Sequence, residues 1–330
     1  MFISCVTYLA AALQPPSAVV GSFTASTSDA AVTTLMRDFD PLLVWARRLL
    51  PDEERRQSAS ALYAWCRRLD EIADTPGVEH GVTLERLEDW TRRLDELWSG
   101  SPRDPLDAAL TATIAKQPSL TRQPFDEMIS GMVTDVSCER LRFSEFRSGP
   151  SDLLTYCYRV AGTVGEMLLP VLGLEECGVR EEALALGCAV QLLNILRDTR
   201  EDLVLRGRLY LPLADAARAG LDEGTLEQII RSGEPTAQYR QLLRWQGRRA
   251  SALLARAEKA LPRIPVASAV LVAVLIELHR ALLQQIREQG FDNLSGERMR
   301  VSTVGKVGIT IRTAARVLLQ RGGRDLVGVV

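Results

Sequence analysis

From Arg37 onward, apolar residues recur at spacings of three and four along most of the chain. That spacing lines one face of a helix. It is plain in LERLEDWTRRLDELW, DLLTYCYRVAGTVGEMLLPVLG, EEALALGCAVQLLNILRDTREDL, YRQLLRWQGRRASALLARAEKAL and ASAVLVAVLIELHRALLQQI. The stretch DEERRQSASALYAWCRRLDEIAD opens on acids behind Pro51, where a fixed φ and negative charge both suit a helix start. Breakers separate these stretches: Pro102 and Pro105, Pro118 and Pro124, Gly149-Pro150, Gly173, Gly207, Gly233 to Pro235, Pro262 and Pro265. No segment alternates as a strand would, and no fixed-period repeat occurs. The pattern predicts an all-α fold. Most of its helices are apolar on more than one face, as the interior helices of a large bundle are.

Residues 1–36 depart from this pattern. They hold no Lys or Arg, Asp29 is their only acid, and Ser, Thr, Ala and Pro dominate. We expect a poorly ordered or targeting segment there, with residues 37–330 as the folded domain. Deleting the segment should then cost little stability. A targeting role would place the protein in a plastid; a plain tail would leave it cytoplasmic.

Two helices share an unusual feature. Asp70 and Asp74 are four residues apart, and so are Asp198 and Asp202. Each pair leaves one helix face a turn apart, where like charges destabilise a helix by a few tenths of a kcal/mol. A solvated face would explain a single pair. On the second helix, however, Gln191, Asn194, Asp198 and Asp202 form one polar stripe flanked by Leu192, Leu193, Ile195 and Leu196. Such a stripe reads as a lining, and buried carboxylates need cations. Hard oxygen donors without His suit Mg²⁺, which takes one or two carboxylates together with substrate phosphates and waters. Two such faces opposed across a bundle would clamp diphosphates. Arg67 lies one turn before Asp70, and Arg206, Arg208 and Tyr210 follow the second pair; guanidinium forks match phosphate oxygens. The small residues Ala161, Gly162, Thr163 and Gly165 serve either close helix packing or room for a long lipid chain.

Composition narrows the choices. The charge balance is 40 basic against 42 acidic residues, and aromatics are 5%. Neither suits nucleic-acid binding. His80 and His279 are the only histidines, so a His-rich metal site is excluded, and the ExxH, HExxH and GxxxxGK[ST] motifs are absent. The six cysteines form no CxxC pair and read as reduced core thiols. The longest apolar run, about Val266–Ile276, is half a spanning helix, which leaves peripheral association as the only membrane contact expected.

The stretches ALYAWCRRLDEIAD, DPLDAALTATIAKQPSLTRQPFDEMISGMVTD, YCYRVAGTVGEM and QLLNILRDTREDLVLRGRLYLPLAD resemble the squalene/phytoene synthase family of trans-isoprenyl diphosphate synthases. Four separated motifs in order, over about residues 40 to 310, carry the resemblance. The DPLDAAL to GMVTD segment looks most like the phytoene-forming branch. The resemblance implies a single isoprenoid-synthase-type helical domain around a central cavity. It implies Mg²⁺, with Mn²⁺ as the alternative cation, on Asp70, Asp74, Asp198 and Asp202. By the same resemblance, Tyr63, Arg67, Tyr156, Gln191, Asn194, Arg197, Arg208 and Tyr210 match positions lining the diphosphates or the cavity. Arg298 matches a C-terminal Arg that reaches a diphosphate.

The implied reaction joins two geranylgeranyl diphosphates head to head, through prephytoene diphosphate, to phytoene. This is the first committed step of carotenoid synthesis. Three departures stand out. Phe39-Asp40-Pro41-Leu42-Leu43 replaces a Ser-rich turn. Leu141 stands where an Arg-Tyr pair is common. His279 stands where a Tyr often holds a diphosphate, a place where it would still donate a hydrogen bond. Rival readings are a squalene or dehydrosqualene synthase using farnesyl diphosphate, a chain-elongating prenyltransferase or cyclase, and a non-catalytic helical assembly factor. The sequence leaves the oligomeric state open.

Overall fold

Thirteen α-helices account for most of the described chain, and among the described residues the only strand-like pairing is a single bridge. The structure is a computed structural model, and it describes residues 25–39, 47–50, 52–75, 78–137, 141–149, 152–296 and 299–327. The all-α expectation holds. Two compact units are present, Met1–Val136 with Glu166–Glu176, and Ser137–Gly165 with Cys177–Val330.

The first unit contains α1 (Ala25–Phe39), α2 (Glu53–Asp74), α3 (His80–Trp98), α4 (Pro105–Lys116) and α5 (Gln123–Val136). Asp52 caps α2 by accepting a hydrogen bond from the Arg55 amide at 2.8 Å, one residue past the proline that marked the helix start. An aromatic cluster ties three helices together. Trp65 meets Trp90 at 5.8 Å and Phe125 at 4.8 Å, both edge-to-face. Arg68, one turn on along the same side of α2, binds Asp104 at 2.6 Å and Asp107 at 3.1 Å.

One expectation is corrected here. Residues 25–36, set apart from the domain by composition, lie in α1, and Val32 and Met36 are buried against Ala64, with Leu35, Tyr63, Leu106 and Ala109 around them. Few charges and small side chains mark a disordered tail in sequence. They equally suit a short helix that buries one apolar edge, and this helix packs on α2 and α4.

The second unit is built on α8 (Arg180–Arg206), with α6 (Leu153–Cys157), α9 (Leu213–Arg218), α10 (Glu223–Ser232), α11 (Ala237–Glu258), α12 (Val266–Glu288) and α13 (Thr303–Val327). Between α6 and α7 (Thr163–Leu172) the chain forms a π-helical turn, Tyr158–Gly162. This turn packs on α8 without intervening side chains. A Cβ on Gly187 would sit 2.3 Å from the Ala161 carbonyl oxygen, and one on Gly165 would sit 2.7 Å from that of Ala183. Close helix packing is thus the role these contacts show for Gly165 and for Gly187 opposite Ala161.

The α12 helix is long and apolar enough to cross a membrane. The apolar run ending near Ile276 understated it, because the helix continues to Glu288. It packs against α8, α11 and α13. Cys66, Cys157 and Cys188 are buried free thiols, and Cys177 is a free thiol at intermediate depth. Burial pushes the Cys188 thiol up to about 12, so it is inert. Cys5 and Cys138 lie outside the described residues.

Candidate active site

The polar stripe on α8 is buried along its length. Gln191, Asn194, Arg197, Asp198 and Asp202 all lie under 7% exposed, as a lining requires and a solvated face does not. The Gln191 amide has no hydrogen-bond partner at either Oε1 or Nε2 among the described residues. An orphaned buried amide is costly, and its presence points to a polar ligand.

Both aspartates of the stripe carry an arginine. Arg197 grips Asp198 with Nε 2.8 Å from Oδ1 and Nη2 2.5 Å from Oδ2. Arg206, the last residue of α8, reaches Asp202 Oδ1 at 3.3 Å from four positions on. The repulsion expected between two like charges a turn apart is thereby offset. A cleft of about 380 Å³ opens beside Asp198, lined also by Arg197, Glu201, Asn293 and Leu294. This volume lies at the lower end for small-molecule sites.

Past α8 the chain turns at Gly207, whose φ of 68° caps the helix. There the Arg208 amide donates to the Asp202 carbonyl at 3.0 Å. The helix end thus fixes Arg208 close in the chain to the second aspartate pair. A strap of residues 141–144 holds the segment that follows. Leu209 and Leu213 amides donate to the Leu141 and Phe143 carbonyls at 3.1 and 3.0 Å. Arg142 locks the strap by donating to Glu223 at 2.6 Å, to the Gly207 carbonyl at 3.1 Å, and to Glu227. Tyr156 and Tyr210, singled out by sequence, meet hydroxyl to hydroxyl at 3.3 Å, and Phe143 stacks on Tyr210.

In the first unit, Asp70 is buried and Asp74 partly so, both on α2. Arg67 Nη1 lies 3.7 Å from Asp70 Oδ2 and its Nη2 lies 3.4 Å from Glu71. Burial pushes the Glu71 carboxyl above its usual range, against the pull of Arg67. Tyr63 packs at the α1 contact. Among the described residues no cluster of three or more His, Cys, Asp or Glu side chains is poised around a common point.

His279, on α12, corrects an expectation. Its Nδ1 is 2.8 Å from the Leu275 carbonyl oxygen. A carbonyl only accepts, so Nδ1 carries the proton. Burial, with Arg197 adding to it, pushes the ring down to about 4. The neutral ring has its one N–H committed to its own helix and offers only an acceptor at Nε2, so it does not replace a tyrosine hydroxyl as a donor. Arg298 and the Asp40–Leu43 turn lie outside the described residues.

Arg142 and Asn293 were not singled out from sequence. Asn293 donates to the Leu196 carbonyl at 2.5 Å and to Thr199 Oγ1 at 3.1 Å, and it accepts from Tyr239 at 2.8 Å. Both sit outside any periodic segment, so helical spacing carries no sign of them. For Asn293 the local cue is the turn-forming DNLSG.

Comparison with known proteins agrees with this architecture. The sequence profile of the squalene/phytoene synthase family matches residues 36–304. Phytoene synthase 1, chloroplastic, of Arabidopsis thaliana is 39% identical over 284 residues, 84% of this chain and 64% of that protein. Its Zea mays counterpart is 40% identical over 253 residues, 75% of this chain and 58% of that protein. The chain therefore spans about three fifths of these relatives. Among solved structures, a dehydrosqualene synthase superposes with a TM-score of 0.75 at 26% identity, covering 88% of this chain and 97% of the other. The squalene synthase HpnC from Alicyclobacillus acidocaldarius gives 0.70 at 25% identity, covering 80% and 95%. Four motifs in order, an all-helical isoprenoid-synthase architecture and a match over most of the length lead to one conclusion: the chain belongs to the squalene/phytoene synthase family.

Proposed function

We propose that the protein is a prenyltransferase that condenses two geranylgeranyl diphosphates head to head to phytoene. One observation carries the choice within the family. Its relatives at 39–40% identity over three quarters or more of this chain are phytoene synthases, while the squalene-type structures stand at 25–26%. Those relatives are named chloroplastic, which supports a plastid location.

The donor set fits a hard divalent cation. Each pair offers two carboxylates and no nitrogen or sulfur, which suits Mg²⁺ shared with phosphate oxygens and water. Asp70 with Asp74 would hold one such cation, and Asp198 with Asp202 another. When bound, the cation supplies charge neutralisation to the leaving diphosphate.

The chain's own residues do the rest. Arg67 and Arg208 bind diphosphate oxygens through guanidinium forks. The orphaned Gln191 amide and Asn194 fix the polar end of the substrate along α8. The walls of Leu192, Leu193, Ile195 and Leu196, all fully buried, exclude water from the allylic cation. In the first stage one diphosphate leaves, the second molecule's double bond attacks the cation, and a proton is lost, giving a cyclopropyl diphosphate. In the second stage that diphosphate leaves, the skeleton rearranges and another proton is lost. No electrons are taken up, so no reductant is required.

The test is to supply geranylgeranyl and farnesyl diphosphates separately, without NADPH, and weigh the hydrocarbon formed. A forty-carbon product from the former supports the reading. Turnover of farnesyl diphosphate alone overturns it in favour of the squalene-type branch.

A further inference from the structure

The turn that follows α12 is held more tightly than a connector requires. Phe291 has a φ of 62°, and among the described residues no other non-glycine residue is left-handed. That conformation persists only where the surroundings hold it. Here they do. The Phe291 ring lies against α11, where a Cβ on Gly247 would come within 3.0 Å of it, and the Arg244 guanidinium sits 5.6 Å from the ring centre. Arg240 donates to the Gly290 carbonyl at 3.0 Å and to Asp292 at 3.2 Å. Asp292 in turn accepts from the Leu294 and Ser295 amides at 3.1 and 3.0 Å.

This turn delivers Asn293 to α8. Its Nδ2 donates to the Leu196 carbonyl at 2.5 Å and to Thr199 Oγ1 at 3.1 Å, and its Oδ1 accepts from the buried Tyr239 hydroxyl of α11 at 2.8 Å. Both amide protons and the oxygen are thereby used. The two anchors on α8 bracket Arg197 and Asp198 in the chain. Thr199 passes the contact on, its hydroxyl donating to the Ile195 carbonyl at 2.7 Å. Asn293 also lines the cleft that opens beside Asp198. Apolar packing would suffice to close a connector. A fully bonded amide network instead fixes the rotation of α8, and it does so at the residues that carry the buried carboxylate. We propose that Asn293 is a positioning residue, which sets the rotation of α8 at Asp198 and so aims that carboxylate at the cation. This inference rests on the proposed role of Asp198 as a cation ligand.

The experiment is a Mg²⁺ titration of the full chain in the presence of inorganic pyrophosphate, read as the rise in melting temperature. Wild type should be protected, because the ligands bind the folded state. In Asn293→Ala the Mg²⁺ concentration giving half of that rise should increase by about tenfold, the lower end of what a group orienting a metal ligand contributes. Tyr239→Phe removes only the hydroxyl that Asn293 accepts from, and it should shift the midpoint the same way by a smaller factor. Turnover of geranylgeranyl diphosphate by Asn293→Ala should require correspondingly more Mg²⁺, and excess Mg²⁺ should restore it. A purely structural role would instead lower the ligand-free melting temperature, leave the Mg²⁺ midpoint where it is, and cause a loss of turnover that Mg²⁺ does not rescue; that result overturns the inference alone. A wild type that Mg²⁺ with pyrophosphate fails to protect overturns the reading of Asp198, and this inference with it. If Asn293→Ala does not fold, the Tyr239→Phe midpoint decides by the same criteria.

Discussion

Arg197 holds the carboxylate of its own neighbour, Asp198, in a two-point grip with both side chains buried. Adjacent helix residues do not normally face each other. Here confinement on α8 brings the two ends together, and each satisfies the other's charge. The spacing of Asp198 and Asp202 suggested that removing one carboxylate would relieve strain. The grip reverses that expectation. Asp198→Ala removes this two-point acceptor from a buried guanidinium, and urea unfolding should show a loss of up to about 3–5 kcal/mol. Arg197→Met combined with Asp198→Leu should recover most of it, since two apolar groups restore a neutral interior. A single variant as stable as the wild type would show that Arg197 finds other acceptors.

His279 sets a pH dependence. Its folded value of about 4 lies below the ordinary 6.5. Between these values the unfolded chain binds a proton that the folded chain refuses. Stability therefore falls as pH drops from 6.5 to 4, by up to about 3 kcal/mol at 1.36 kcal/mol per unit. Across that window the stability of the wild type should fall more steeply with decreasing pH than that of His279→Gln. A variant with an unchanged slope would mean that the ring is protonated in the folded state.

The strap predicts a role for Arg142 at a distance from the reacting groups. Its guanidinium joins α10 to the Gly207 carbonyl, next to Arg208. Arg142→Met should loosen the Gly207–Leu211 segment, cost about 1–3 kcal/mol for the acceptors left behind, and lower turnover more than the stability loss alone explains. Arg142→Lys should restore part of both. Full activity in Arg142→Met would show that Arg208 is positioned without the strap.

Two glycines should respond oppositely to alanine. Gly187→Ala places a Cβ 2.3 Å from a backbone oxygen of the π-helical turn, whereas Gly81, near the start of α3, has nothing within 4 Å. The first substitution should lose about 1–3 kcal/mol by overpacking despite better helix propensity. The second should be neutral or gain up to about 1 kcal/mol. Thermal melts of the two variants decide it, and a stabilised Gly187→Ala would refute the close packing of this turn on α8.

Helix periodicity and breakers made the fold class legible, because each helix buries a stripe whose spacing survives in sequence. The Gln191–Asp202 stripe was legible for the same reason, and its burial followed from the leucines on either side. Less local features were not legible. Whether Arg197 answers Asp198 depends on side-chain confinement that spacing does not encode. The strap joins residues 141–144 to 207–214, a long-range pairing that leaves no periodic trace. The α1 helix was missed because a composition poor in charge describes both a loose tail and a helix buried along one edge. The acceptor-only state of His279 turned on one hydrogen bond to Leu275.

The account rests on the two carboxylate pairs serving one reaction. The most direct measurement is hydrocarbon formation from geranylgeranyl diphosphate, with Mg²⁺ and no NADPH, by the wild type and by Asp70→Asn and Asp202→Asn. These near-isosteric changes keep the packing and remove a charged donor. The wild type should yield the forty-carbon product. Each variant should fold and lose at least about a hundredfold in turnover, or about 2.7 kcal/mol of barrier. Folded variants that match the wild type would contradict the assignment of both pairs.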